Sequence, residues 1–502
     1  MVLENLEPKL VWEIFEEVVS KTPHESKKEG KIRAKIKEWV KNRAEKEKIS
    51  LSVNEDAIGN ILIKLPASKE MESCQPVILQ AHMDMVCETD RPEGFDFDNE
   101  PIPIRIQDNG EWVDADGTTL GADNGIGVSL ALATIFDNSA DFKHGPLEIL
   151  LTVDEETGLT GAFQLDEKKL EIQSNLLINL DSEDIGKITI GSAGGGDMLF
   201  EKNLMKSEDY SKIHEKFIEL TVSGLRGGHS GGDIHLPRAN ANKVIARMLS
   251  AVLEKKELYL VSWNGGSKHN AITRKSSALF GIPSGQIGEV ELILSSEKES
   301  LFNYYQGTSE PFEPNMSIEW KITKHQPYFS AIESNLIIST ANIVPSSVIR
   351  KSPVLEDLTE TSNNLSIIKT EGSKISIILS TRSALGDELD ATRIAISQIG
   401  KLAGWNIIRD PSYPAWKPEP EKPFAQFFKA KYEEFLNSKV EFEAVHGGLE
   451  TGVIGDKIPG IQMIAIGPTI KNPHSPEEKL NIAHVGIMYN LLKKILKELP
   501  NL

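Results

Sequence analysis

The sequence predicts an α/β domain that is interrupted along the chain by a second, inserted domain. Three observations carry this reading. Short apolar runs of the buried-strand type alternate with helical patterns over the first ~190 residues. After the glycine cluster Gly191-Ser-Ala-Gly194-Gly195-Gly196 the strands change style and alternate apolar with polar residues. Past Pro411-Ser-Tyr-Pro414, with further prolines at 418, 420 and 423, the earlier manner returns. The expected parts are residues 1–193, 194–412 and 413–502, the first and last forming one domain. A chain of 502 residues is too long for one simple core, which suits two or three packed units.

The elements follow in order. Leu10, Val11, Ile14, Phe15, Val18 and Val19 recur at helical spacing, and Ile32, Ile36 and Val40 do so again. Asn60–Leu65, Val77–Ala81, Leu147–Val153 and Leu176–Leu180 read as buried strands, with a helix at Gly125–Phe136. The glycine cluster reads as a hinge or boundary. Beyond it, Phe217–Ser223, Leu258–Trp263, Met316–Thr323, Leu365–Lys369 and Ile375–Ser380 have the grain of half-exposed antiparallel strands. Helices at Arg238–Leu253, Leu336–Asn342 and Asp387–Leu402 separate some of them, as in a domain of two related halves. The last part reads as a helix at Phe424–Leu436, buried strands at Glu441–Val445 and Ile461–Ile466, and a final helix at Val485–Leu499.

Composition narrows the partners. The 74 acidic and 55 basic side chains leave a net charge of −19, which repels phosphate backbones and anionic lipid heads. Nucleic acid and membrane surfaces are therefore not expected as partners. Two cysteines cannot build a disulfide framework, and the first twenty residues carry acids where a secretion signal carries bases. A reducing cytoplasm is the expected location.

The chemistry gathers at strand ends, where ligands bind in open α/β sheets. His82 and Asp84 follow the second buried strand; a histidine and an acid two apart suit a ligand and its orienting carboxylate. Asp154-Glu155-Glu156 follows the third, and adjacent carboxylates repel unless a cation or proton relieves them. Asp181 ends the fourth, and Asp123 opens the helix between. Each acid could simply cap a helix or face water. Together they supply the carboxylates that two borderline divalent ions need, one of them shared. His474 lies in a proline-flanked loop after another buried strand and suits a ligand. His484 could cap a helix or face the core, while His24, His144, His214 and His325 read as solvated. Gly228-His229-Ser230-Gly231-Gly232 fits the nucleophile elbow of serine hydrolases, but an elbow needs its helix at once, and Asp233–Pro237 intervenes.

These segments resemble the dinuclear-zinc family of aminoacylases, glutamate-releasing carboxypeptidases and dipeptidases, and are most similar to its bacterial aminoacyl-histidine (Xaa-His, β-alanyl-histidine) branch. The matching motifs are Gln80–Val86, Leu120–Gly127, Asp154–Gly158, Asn179–Asp184, Gly224–His235, Arg238–Asn242, His446–Gly452 and Asn472–Pro476. The resemblance implies a split metallopeptidase catalytic domain, a mixed sheet flanked by helices, carrying an inserted α+β lid. It implies that His82, Asp123 and Asp181 hold one metal ion and that Asp123, Glu156 and His474 hold the other. It also implies a cis peptide after Asp123, Asp84 orienting His82, and Glu155 as the general base towards a water whose pKa the ions lower from 15.7 towards ~7. In the lid, His229 would stabilise the oxyanion, and Asn270, Arg382 and Gly448 would hold the substrate backbone and free carboxylate. The implied protein is a homodimer acting on small unblocked peptides, with zinc, cobalt or manganese each suiting the donor set. The chain departs from the branch at Ile185, Thr273 and Thr451, none of them a ligand or the base.

Overall fold

The apolar runs of the first segment assemble as parallel strands. In the computed structural model, which describes residues 2–209, 217–283, 285–356 and 358–499, Val77–His82 pairs in parallel with Leu147–Thr152 on one side and Leu176–Asn179 on the other. Gln462–Ala465, from the far end of the chain, extends the parallel block beside Leu176–Asn179. Strands covered on both faces need apolar residues at every position, which is why these runs are continuous rather than alternating. Ser52–Glu55 and Ile61–Leu65 close one edge in antiparallel fashion, and Lys187–Ser192 and Glu441–Val445 complete an eight-stranded mixed sheet. Glu441–Val445, expected as a buried strand, is the half-exposed edge of this sheet, since only one neighbour covers it.

Ala122–Ile135 is buried almost all round and packs against Val77–His82 and the N-terminal helices. Its close approach depends on Gly125, where a Cβ would lie 2.7 Å from Val19 Cγ1. The N-terminal helix runs from Lys9 to Ile14 and widens into π-helical turns over Phe15–Ser20.

The chain divides into two units. The first comprises the chain up to Ser192, Pro418–Ala444 and the chain from Leu449; the second comprises Ala193–Lys417 and Val445–Gly448. The inserted unit thus runs past the expected return at 412, because Tyr413 is paired through both backbone groups with Gly195. It also takes in the short stretch 445–448, where the Ala193 amide donates to the Val445 carbonyl.

Among the described residues, the second unit holds an antiparallel sheet of nine strands, a two-stranded ladder and four helices of 13 to 19 residues. The large sheet consists of two blocks. Ser317–Thr323, Phe217–Ser223, Ser276–Gly281 and Tyr259–Gly265 form one; Thr359–Glu371, Lys374–Ser383, Gly194–Asn203 and Asn406–Arg409 form the other, and Ser347–Lys351 pairs with Thr359–Glu371. The blocks meet at the single register pair Gly265↔Ile368. Phe200, Trp263, Phe280 and Phe329 are fully buried in the core of this unit. The glycine cluster, expected as a hinge or boundary, holds the boundary between the units at Ser192/Ala193, but its residues are extended strand, ending Lys187–Ser192 and starting the ten-residue Gly194–Asn203. The helix Ile287–Tyr305 was not anticipated: only Val290, Leu294 and Leu301 along it are buried, too sparse a stripe to stand out.

Among the described residues no helix is long and apolar enough to cross a membrane. His24 and His144, expected as solvated, are buried, their Nδ1 atoms bonded to the Thr22 and Gly145 carbonyls. His214 lies outside the described residues.

Candidate active site

Four parallel strands ending on one edge bring together residues far apart in sequence. His82 ends its strand opposite Thr152, so the turn Asp154–Glu156 emerges beside it, and Asp181 leaves the neighbouring strand on the other side. His82 Nε2 lies 3.1 Å from Asp123 Oδ1 and 3.5 Å from Asp181 Oδ1. His474 Nε2 lies 3.0 Å from Asp123 Oδ2 and 2.9 Å from Glu156 Oε1. The two oxygens of Asp123 therefore face two different histidines. Donor atoms in each set lie within 4.8 Å of one another, as do those of His82, Glu155 and Glu156.

These residues fit divalent ions. Ligand bonds of ~2.0–2.1 Å in tetrahedral array put donor atoms about 3.3 Å apart, close to the separations here. Glu156 Oε1 is buried, with only the His474 ring nitrogen beside it at 2.9 Å, as suits an oxygen that shares an ion with that ring. Charge points the same way. Burial pushes the Asp181 carboxyl up to about 6, with Asp123 and Glu156 adding to the effect of burial and His82 opposing it. Burial likewise raises Glu155 well above the usual carboxylate range, with Asp181, Glu156 and Glu450 adding to it. His474, held by Asp123 and Glu156, is raised to about 11. Without a cation, the cluster must take up protons to relieve its own repulsion.

The ring of His82 is oriented from behind. Its Nδ1 is 3.0 Å from the Asp84 carbonyl and 3.4 Å from Asp84 Oδ1, which directs the Nε2 lone pair at the carboxylates. Asp84 also accepts from the Glu155 amide (3.0 Å), the Glu156 amide (3.2 Å) and the Ser26 hydroxyl (2.8 Å). Burial would raise this carboxyl, but the His82 ring, the Glu155 amide and Ser26 hold it at about 2. One carboxylate thus positions both the histidine and the Glu155–Glu156 turn. Glu29, Asp84 and Asp154 also converge, but Glu29 accepts from the Lys27 and Asp154 amides and Asp154 from Thr157, so that group is internally satisfied.

The expected residues of the inserted part lie in the second unit, and two of them share a ladder. His229 pairs with Ala271 across the two-stranded ladder Gly228–His229 and Ala271–Ile272, and the Asn270 carbonyl accepts from the Ser230 amide at 2.8 Å. His229 Nδ1 accepts from the Gly231 and Gly232 amides, which leaves the proton on Nε2. Burial, with help from Arg382, lowers the His229 pKa and keeps the ring neutral. Arg382 is only 7% exposed and has no carboxylate partner among the described residues. Ser230 Oγ is buried without a hydrogen bond, and the next helix starts only at Ala241. No nucleophile elbow forms there.

The family model for "Peptidase family M20/M25/M40" matches residues 78–498. The chain belongs to this peptidase family. It is 36% identical over 499 residues to the cytosol non-specific dipeptidase of Escherichia coli K12, covering 99% of both chains. Its structure superposes on the aminoacylhistidine dipeptidase of Vibrio alginolyticus with a TM-score of 0.88 at 34% identity, covering 99% of this chain and 97% of that one. The aminopeptidase PepT of Bacillus cereus shares the fold, with a TM-score of 0.55 at 15% identity and coverage of 98% and 99%. This M20 chain is therefore a metallopeptidase that uses divalent metal, and its split mixed sheet is the family's fold.

Several residues around the M20 site escape sequence reasoning. Glu478, buried, accepts from four consecutive amides: Leu120 and Gly121 on Oε2, Ala122 and Asp123 on Oε1, at 2.8–3.2 Å. It clamps the loop that presents Asp123, whose peptide bond to Asn124 is cis. Glu450, also buried, accepts from Gln80 (2.6 Å) and Thr152 (2.8 Å) at the ends of the two central strands. A cluster of acids after His474 was the one signal for Glu478, and in so acidic a chain it was faint.

Proposed function

We propose that the chain is a metal-dependent dipeptidase of the cytoplasm, hydrolysing small unblocked dipeptides, Xaa-His among them. The observation that carries this is Asp123, whose two oxygens face two separate histidine–carboxylate groups with Glu155 alongside. The full-length likeness to two dipeptidases supports the substrate class. His82, Asp123 and Asp181 would hold one ion and Asp123, Glu156 and His474 the other, with zinc the best match to imidazole and carboxylate donors and cobalt or manganese as alternatives. When bound, such ions supply Lewis acidity, acidifying a water and polarising the scissile carbonyl.

The chain's own residues do the rest. Glu155 takes the proton of the attacking water and delivers it to the leaving amine; its burial favours the protonated form it takes on between the two steps. Asp84 holds Glu155 by its amide and His82 by its ring, so base and ligand keep one geometry. His229, neutral with its proton on Nε2, is a donor suited to the developing oxyanion, whether within one subunit or across the homodimer we infer. Arg382 would take the free carboxylate, and Asn270 and Gly448 the substrate backbone. Neither nucleic acid nor a membrane is proposed as a partner.

The test is amine release from dipeptides, tripeptides and N-acetyl amino acids, before and after chelation and return of zinc. The expected result is chelator-reversible cleavage confined to free dipeptides. Cleavage of acetylated substrates alone would make the chain an acyl amino acid deacylase and overturn the proposal.

A further inference from the structure

Arg382 is a buried guanidinium without a carboxylate, and one hydroxyl decides which of its edges is free. Its Nη1 donates to Tyr413 Oη at 2.7 Å, while Nε is buried with no hydrogen-bond partner. No partner takes Nη2 among the described residues. With Nη1 engaged, the Nε–Nη2 edge remains, and this edge is the one that grips a carboxylate with two parallel bonds.

The chain goes to some length to put Tyr413 there. Arg382 lies directly across the antiparallel ladder from Gly195, so a side chain on residue 195 would stand on the same face, beside the guanidinium. Glycine leaves that space open. Tyr413 fills it, with Oη only 2.4 Å from where the missing Cβ would be. The Tyr413 backbone is tied to the same glycine by N–H to the Gly195 carbonyl at 2.9 Å and by its own carbonyl to the Gly195 amide at 3.2 Å. On the ring's other edge, a Cβ on Gly448 would come within 2.9 Å of Tyr413 Cε2. Gly194 is constrained too, since a Cβ there would meet the Tyr413 carbonyl oxygen at 2.6 Å. Two glycines from distant segments, Gly195 and Gly448, thus make room for the phenol, and Gly194 makes room for the backbone that carries it.

We infer that Tyr413 is a positioning residue for substrate recognition: its hydroxyl holds Nη1 of Arg382 so that the Nε–Nη2 edge is presented to the terminal carboxylate of a dipeptide. This rests on the assignment of Arg382 to that carboxylate made above. It makes Tyr413 a determinant of the preference for a free C-terminus, acting through Arg382.

Tyr413→Phe removes only the hydroxyl and keeps the ring between the glycines. Steady-state kinetics on a dipeptide and on its C-terminal amide, with the parent and with this variant, tests the role. The expected result is a KM for the free acid raised about tenfold with kcat little changed, and a preference for acid over amide reduced by a similar factor. Gly195→Ala, which pushes the phenol aside, should lower the same preference while melting within a few degrees of the parent. A Tyr413→Phe variant that keeps the parental acid-to-amide ratio would overturn the role of Tyr413. A parent that cleaves acid and amide equally would instead overturn the assignment of Arg382 on which it rests.

Discussion

The two units compensate buried charge in opposite ways. In the first, carboxylates from three strand ends and a helix start crowd round two histidines, and the excess is negative. In the second, a buried guanidinium is met by a single hydroxyl, and the excess is positive. In the proposed mechanism the first is finished by cations and the second by an anion. Their scaffolding differs accordingly. The anionic group is held by backbone amides, which Asp84 and Glu478 collect in twos and fours. The cationic group is held by absent side chains, the glycines at 195 and 448. A site for ions needs fixed donor atoms, whereas a site for a substrate's end needs an open edge.

The sharpest way to break the comparison is at Glu155, which belongs to the first group by position but binds nothing in the proposed mechanism. Glu155→Gln should lower kcat by about 10³-fold and leave two ions bound per chain, read by elemental analysis after gel filtration. Loss of an ion would make Glu155 a ligand. Parental turnover would remove it as the base.

Next in size is the clamp on Asp123. Four amides converge on Glu478 and leave no acceptor for a carboxyl proton, so a neutral amide in its place must turn an N–H₂ against N–H groups. Glu478→Gln should therefore weaken binding of the ions about tenfold or more, measured by competition with a chromogenic chelator. Unchanged affinity would mean that the loop keeps its shape without the clamp.

How much of this was legible in the sequence follows from distance along the chain. His82, Asp84, Asp154–Glu156 and Asp181 each sit just past an apolar run that announces itself as a buried strand, so the parallel edge could be located before any pairing was known. Glu478 bonds amides 355–358 residues away and Glu450 bonds Gln80 across 370 residues; among 74 acids nothing local marks Glu450, and only the neighbouring acid Glu477 marks Glu478. The glycines at 194–196 illustrate the same limit. Read locally they are a hinge or boundary; in the fold, Gly195 is kept bare for the ring of Tyr413, more than 200 positions later, while Gly194 makes room for the Tyr413 backbone and Gly196 for Arg393. The edge position of Glu441–Val445 was equally invisible, since being last in a sheet is a property of the neighbours.

The smallest expected effect is one of pH, and the ion cluster of the first unit and His446 of the second should show opposite signs. In the ion-free chain, Asp181 and Glu183 are raised by burial to about 6 and about 8, and His474 is raised by Asp123 and Glu156 to about 11. The folded state then holds protons that the unfolded chain has released, so the stability of the ion-free protein falls as pH rises from about 5 to 8. In the second unit His446 is buried, bonded through Nε2 to Ser362 Oγ at 2.7 Å, and near Arg382, His229 and His235. Burial first, then those charges, lower its pKa to about 3. Here the unfolded chain binds the proton, so stability is complete above about pH 6.5 and is lost on acidification towards 3, by roughly 1.4 kcal/mol at pH 5.5. Thermal melts with zinc present, which displaces the protons of the ion cluster, should show this acid limb on top of those from His24 and His144, whose pKa burial also lowers. His446→Gln should flatten it, because glutamine keeps a polar reach towards Ser362 without a group that titrates. If the variant's melting temperature fell between pH 6.5 and 5.5 as steeply as the parent's, His446 would not be a source of the acid sensitivity.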